Sequence, residues 1–216
     1  MTVPLPRPAT PDGLFLWVMH RFAEAFEEHA IIKGGIALRL FDCPRSTTDI
    51  DYVFAPFRSK TEIRARIERV LAEIEGASIE VTAHSKMLRA SVRVDSAAIQ
   101  IEVNVAQECP TTAVPTAGFA TAQGQPSRIV RVMALDCALA HKLAAWNERR
   151  LLRDIYDCYF LTSRLGETPN LAILDTRLRR IESKLPRLRT RKVMTRAELA
   201  AELRAAAAAL TETALR

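Results

Sequence analysis

Two hydrophobic periods alternate along the chain. In PDGLFLWVMHRFAEAFEEHA apolar residues recur every three to four positions, which predicts an amphipathic helix with Asp12 available as its cap. AIIK reads as a short strand stopped by Gly34-Gly35, and IALRLF then fits one or two helical turns. TTDIDYVF alternates apolar and polar positions and is rich in β-branched and aromatic residues, so it predicts a strand. SKTEIRARIERVLAEIEG returns to the helical period, with Ser59 and Glu62 as a capping box and Gly76 at its end. Three alternating runs follow: SIEVTAHS, LRASVRVD and AIQIEVNVAQ. This order of helices and strands implies a mixed α/β sheet with helices packed against it.

Around residue 110 the pattern changes. ECPTTAVPTAGFATAQGQPSRIV is turn-forming and predicts a long loop or hairpin region. From Met133 the helical period dominates, in VMALDCALAHKLAAWNERR, in RDIYDCYFLTSRLG ending at Gly166, in LAILDTRLRRIESKL and in RAELAAELRAAAAALTETAL. The alanine run in the last segment favours helix by propensity. The expected organisation is a proline-rich arm over residues 1–13, an α/β core over 14–125 and a helical region over 126–216. No internal repeat is visible.

Composition narrows the class. A chain of 216 residues buries a sizeable core, as one large domain or one domain with a helical extension. The start, MTVPLPRPATPDG, lacks the regions of a signal peptide, and no apolar run approaches the ~18 residues of a membrane-spanning helix. Cys43, Cys109, Cys137 and Cys158 are scattered with no C-x-x-C pair, as expected of reduced thiols in a cytoplasmic protein. His20, His29, His84 and His141 show no metal-ligand spacing. The formal net charge of +6 permits a polyanionic partner without choosing one.

The candidate chemistry begins in the strand TTDIDYVF. Residues i and i+2 of a strand share a face, so Asp49 and Asp51 project together while Ile50 points to the core. Adjacent carboxylates repel, and a cation offsets that repulsion. Oxygen ligands of this kind suit Mg²⁺ (or Mn²⁺), which takes one or two carboxylates together with substrate phosphates. Gly34-Gly35 at a strand-to-helix turn lets backbone N–H groups approach a phosphate. In IQIEVNVA the hydrophobic members face the core and leave Glu102 on the other side. Beside the Asp-x-Asp strand, Glu102 would complete a three-carboxylate site for in-line displacement at a triphosphate.

Gly34-Gly35, a short helix and then Asp49-Ile50-Asp51 on the next strand resemble the signature of the DNA polymerase β-like nucleotidyltransferase superfamily. With Arg45 and Thr47 ahead of the aspartates, the segment is similar to the AbiEii/AbiGii toxin family of nucleotidyltransferases. A second motif of that family, a lysine followed by Arg-Asp-x-x-Asp, is matched by HKLAAWNERRLLRDIYDCYFL with Lys142, Arg153, Asp154 and Asp157. The likeness spans roughly residues 30 to 165. Two positions depart from it: Ile36 stands where Gly-Gly-Thr is more usual, losing a hydroxyl, and Thr47 replaces a more usual serine, keeping one.

The resemblance implies a polymerase β-like core with a mixed sheet, flanking helices and a C-terminal helical region. It also implies transfer of a nucleoside monophosphate from an NTP, an RNA acceptor such as the 3′ end of tRNA, and a cognate antitoxin. Asp49, Asp51, Lys142 and Asp157 would be catalytic; Gly34, Gly35, Thr47, Lys142 and Arg153 would bind nucleotide; Asp49, Asp51 and Glu102 would hold the metal. Read without the family, Lys142 supplies a point charge for a triphosphate, and Asp157 orients it or acts as a base. Arg153 and Asp157, spaced i, i+4, would equally form a structural salt bridge. Two other functions stay open: an NTP-binding module without transfer, and a small-molecule, antibiotic-type nucleotidyltransferase. The basic stretch RLRRIESKLPRLRTRK would meet RNA phosphates with part of its length and pack with the rest.

Overall fold

A computed structural model of the chain describes residues 6–85, 87–179 and 195–214. It divides into two compact units, Met1–Ala134 and Leu135–Arg216.

The first unit is built on a sheet of seven strands: β1 (Ala30–Lys33), β2 (Asp49–Phe54), β3 (Ser78–Ala83), β4 (Leu88–Val94), β5 (Ala97–Val105), β6 (Thr111–Pro115) and β7 (Ile129–Met133). Their order is β3-β4-β5-β2-β1-β7-β6, with β2 parallel to β5, β1 parallel to β7 and the other neighbours antiparallel. Helices α1 (Pro11–Phe26), α2 (Gly34–Arg39), α3 (Thr61–Leu71) and α4 (Ala117–Ala122) complete the unit. The mixed sheet with flanking helices is the α/β architecture that the alternating periods require.

Strand alternation divides the labour of the sheet. On β2, Ile50, Tyr52 and Phe54 are buried, and Phe22 and Phe26 of α1 meet Tyr52 and Phe54 at ring-centroid distances of 5.1 and 4.7 Å. On β4 and β5 the core members are Leu88, Ala90, Val92 and Val94, and Ala97, Ile99, Ile101 and Val103. Ile63, Ile67, Val70 and Leu71 of α3 join the same cluster. The other face of these strands carries the polar residues.

Three local features differ from the sequence pattern. Leu14 to Met19 are all buried, so the first half of α1 is enclosed on every side rather than amphipathic. Thr10, not Asp12, is the N-cap: its hydroxyl accepts from Gly13 N–H at 3.0 Å, while Asp12 pairs with Arg39 at 2.8 and 2.9 Å. The turn-rich stretch after residue 110 is a β6–β7 hairpin as expected, but it holds helix α4 between its strands. Within α3 the capping pair is partly made, Ser59 N–H donating to Glu62 at 2.7 Å.

The second unit is helical, with α5 (Leu135–Arg149), α6 (Leu152–Tyr159) continued by a π turn over Phe160–Arg164, α7 (Leu171–Arg179) and α8 (Arg196–Ala214). Its apolar centre gathers Ala140, Trp146, Leu174, Leu178 and Leu199. Arg150 sets its guanidinium over the Trp146 ring at 3.9 Å, a cation–π contact, and pairs with Glu202. Among the described residues no helix is long and apolar enough to cross a membrane.

Candidate functional site

The polar face of the sheet is laid out in rungs by strand register. Asp51 on β2 is flanked by Lys33 on β1 and Glu102 on β5, and Glu102 in turn by Arg89 on β4. Asp51 and Glu102 are therefore adjacent carboxylates on one face, each with about a quarter or less of its side chain exposed. Each is held from its outer side by a cation: Lys33 Nζ lies 3.2 Å from Asp51 Oδ1, and Arg89 Nη2 donates to Glu102 Oε1 at 2.6 Å. These two flanking charges offset part of the repulsion that the sequence assigns to a metal ion alone. Lys33 and Arg89 escape sequence reading because nothing in their local pattern says which strand lies beside them.

One rung along, Asp49 shares the face of Asp51 and has a different environment. Its Oδ1 accepts from Thr48 Oγ1 at 3.3 Å, and among the described residues it has no cationic partner. The backbone of Asp49 is braced by Thr47, whose hydroxyl accepts from Asp49 N–H at 3.4 Å and donates to Asp49 O at 3.2 Å. The hydroxyl that stands in for the expected serine is thus spent on aiming the aspartate.

The glycine turn closes against the same residues. Gly34 has φ +74°, the left-handed region, and a Cβ there would overlap Asp51 Oδ2. A Cβ on Gly35 would stand 2.9 Å from Arg45 Nη2 and 3.1 Å from Thr47 Cβ. Any side chain at position 34 would displace the carboxylate. Arg45, which the sequence marked only as part of the motif, is a guanidinium set over the turn.

These residues fit a divalent cation held by two aspartates. Asp49 and Asp51 supply partly buried oxygens on one face, and the missing side chains of Gly34 and Gly35 let Asp51, Arg45 and Thr47 close in on the turn; two carboxylates with further ligands from substrate phosphates are what such a cation takes. Glu102 fits less well as a third ligand, because Arg89 occupies its Oε1. Among the described residues no set of three His, Cys, Asp or Glu side chains comes together as a ligand cluster.

The second unit gathers the other motif. Lys142 on α5 lies 2.6 Å from Asp157 Oδ2 and 3.8 Å from Asp154 Oδ1, both on α6. Asp154 also accepts a bidentate pair from Arg149, Nε and Nη2 each at 2.7 Å. Both aspartates are fully buried, and Lys142 keeps 16 % of its side chain exposed. Buried carboxylates of this kind require pairing, and here two acids meet two bases. Asp154, named from sequence only as part of the motif, and Arg149, outside it, thus anchor the cluster. Arg153 points elsewhere: it is exposed, and the salt bridge to Asp157 suggested by i, i+4 spacing is replaced by the Lys142 pair. Cys158, next to Asp157, is pushed up to about 12 chiefly by burial, so it stays a neutral thiol.

The basic stretch is seen only at its start. Arg177 pairs with Glu148 at 2.5 Å and Arg179 is exposed, whereas Arg180, Lys184, Arg187, Arg189, Arg191 and Lys192 lie outside the described residues.

The sequence pattern of the nucleotidyl transferase AbiEii toxin family, of type IV toxin–antitoxin systems, matches residues 17–216. Among solved structures the chain is similar to the JHP933 protein of Helicobacter pylori, at 18 % identity and a TM-score of 0.53, covering 78 % of this chain and 71 % of that one. It is also similar to an H. pylori protein provisionally assigned as a nucleotidyltransferase, at 16 % identity and a TM-score of 0.51, covering 77 % of this chain and 72 % of that one. At such identity the two structures speak for the fold alone. None of the curated proteins matches the chain. The chain belongs to the AbiEii nucleotidyl transferase toxin family: it is a nucleotidyltransferase, and membership implies an NTP substrate and a cognate antitoxin.

Proposed function

We propose that this AbiEii-family enzyme is the toxin of its pair and transfers a nucleoside monophosphate from an NTP to the 3′ end of tRNA, in the cytoplasm, with Mg²⁺ or Mn²⁺ as its metal. The observation that carries the proposal is the Asp49–Asp51 face beside the Gly34-Gly35 turn. In the reaction an acceptor hydroxyl oxygen forms a bond to the α-phosphorus, the bond from that phosphorus to the pyrophosphate oxygen breaks, and the hydroxyl proton is released. A divalent cation bound by Asp49 and Asp51 would supply charge for the attacking and leaving oxygens.

The chain's own residues have separate parts. Gly34 and Gly35 let Asp51, Arg45 and Thr47 approach the turn closely, and Lys33 and Arg45 would add positive charge there for a phosphate. Thr47 holds Asp49 in place. Lys142, whose ammonium Asp157 holds within the helical unit, is proposed as a nucleotide-binding residue on its likeness to the family motif. Arg153, exposed and outside that buried pairing, would reach nucleotide or RNA only as a surface charge.

The test is nucleotide incorporation by the full chain with each labelled NTP in turn, total tRNA and Mg²⁺. Label on tRNA is expected for one or more NTPs, and Asp51→Asn should lower it by about a thousandfold, the scale of losing a preorganised charge at the reacting centre. NTP binding without label on any RNA would instead describe a binding module. Label on an aminoglycoside but on no RNA would make it a small-molecule transferase.

A further inference from the structure

The open face of the sheet continues past the aspartates into a groove that the proposed reaction has not yet used. On the rung of Asp49, register places Gln100 of β5, Ser91 of β4 and Glu80 of β3 side by side. The next rung carries Ala98, Arg93 and Ser78. Together these residues line a cavity of about 380 Å³ that begins at Asp49 and ends at the edge strand β3. Its volume falls in the range of small-molecule sites, roughly 300–1,000 Å³. At the usual strand spacing, β4 lies about 10 Å from β2 across β5.

The lining decides the chemistry of the occupant. Ser78 and Ser91 are small, which gives the groove depth, and they offer hydroxyls on both sides of it. Gln100 adds an amide and Glu80 a carboxylate able to accept from sugar hydroxyls. The apolar members of the same strands, Val92 and Ile99, are buried toward the helices and add no side-chain wall for an apolar ligand. Arg93 is exposed and, among the described residues, has no ion pair, in contrast to Arg89 two residues earlier, which is tied to Glu102. A guanidinium so placed matches a phosphate in fork geometry.

Direction supplies the second argument. In-line displacement requires the acceptor to approach the α-phosphorus from the side opposite the departing pyrophosphate. If the glycine turn on the β1 side of β2 holds the triphosphate, the acceptor comes from the β5–β4–β3 side, where the groove is. We propose that this groove is the acceptor subsite and that it takes the sugar–phosphate end of an RNA strand, with Arg93 on a phosphate and Ser78, Ser91, Glu80 and Gln100 toward ribose hydroxyls. The assignment rests on the nucleotidyltransferase reading above, and on its RNA acceptor in particular.

The test compares two charge reversals in the full chain. Arg93→Glu changes the groove; Arg69→Glu makes the same change in net charge on the exposed side of α3, which packs on the opposite face of the sheet. Filter binding with total tRNA at fixed salt, NTP binding and steady-state incorporation are measured for both. For Arg93→Glu we expect tRNA affinity about tenfold weaker and KM for tRNA raised to match, with NTP binding within twofold of the parent. Arg69→Glu should stay within twofold throughout. Ser91→Tyr, which fills the groove from the solvent side, should also raise KM for tRNA and leave NTP binding intact. Equal effects of the two reversals, or no effect of Ser91→Tyr, with the parent still labelling tRNA, would overturn the groove and leave the transferase reading standing. A parent that labels no RNA under any NTP would remove the RNA acceptor and the proposed occupant together.

Discussion

Each unit of this protein places two carboxylates side by side, and the two pairs do opposite things with them. In the sheet, Asp51 and Glu102 are neighbours by register on a half-open face, each steadied by one flanking base and still reachable. In the helical unit, Asp154 and Asp157 are fully buried and their oxygens are spent on Lys142 and Arg149. The contrast teaches that proximity of acids does not define a cation site. Burial without spare oxygens makes a charge-balanced anchor, whereas partial exposure on an open sheet face leaves carboxylates within reach of a ligand.

The largest difference should appear in stability. Asp157→Ala would leave Lys142 without its closest counter-charge in a mostly buried setting, which costs about 3–5 kcal/mol when a buried pair loses one partner. Asp51→Ala, at a half-exposed pair, should change stability by only about 0.5 kcal/mol while removing activity. Denaturant unfolding of both variants checks this, and equal losses would erase the distinction drawn between the two sites.

A smaller effect concerns a buried titratable group with no ion-pair partner among the described residues. His20 is fully buried, and its Nε2 lies 2.8 Å from Thr116 Oγ1, which already accepts from Arg128 N–H. Burial, with Arg128 adding repulsion, lowers its pKa from 6.5 to about 4. The folded state therefore binds fewer protons than the unfolded state between those values. Stability from this group is fully present above pH 6.5 and is lost as pH falls toward 4, by roughly 3 kcal/mol in total. His20→Gln should flatten that part of the stability–pH curve, as measured by thermal unfolding across the window.

The smallest effect is expected at Glu102. Because Arg89 holds it, Glu102→Gln should alter Mn²⁺ affinity by less than about threefold, read by electron paramagnetic resonance in the presence of a non-hydrolysable NTP analogue. Asp49→Asn should weaken the same binding tenfold or more, since ligating carboxylates and the groups that orient them typically carry factors of about 10–100. A loss at Glu102→Gln as large as at Asp49→Asn would show that Arg89 releases the carboxylate when nucleotide and metal bind.

Much of the fold was legible because its signals are local. Period-two alternation marked the β2, β3, β4 and β5 strands, and Gly34-Gly35 marked the turn between β1 and α2. The turn-rich segment concealed α4 because six residues of Ala, Gly, Phe and Thr carry little periodicity, and the helix is fixed instead by burial of Phe119 and Ala120. Asp12 looked like a cap because capping is read from residue type, but the backbone began its helix two residues earlier and Arg39 took the carboxylate.

The sequence by itself determined which residue types recur at which period, and hence that Asp49 and Asp51 share a face, that Glu102 lies on the polar side of its strand and that the chain carries both family motifs. Those properties depend on neighbours within a few positions. Only the tertiary structure decided that Lys33 and Arg89 flank the carboxylates, that Asp154 and Asp157 are buried against Lys142 and Arg149 while Arg153 faces outward, and that Ser78, Ser91 and Arg93 extend the face into a groove. Strand order and helix packing bring together residues far apart in the chain, and electrostatic environment follows distance in space rather than distance in sequence.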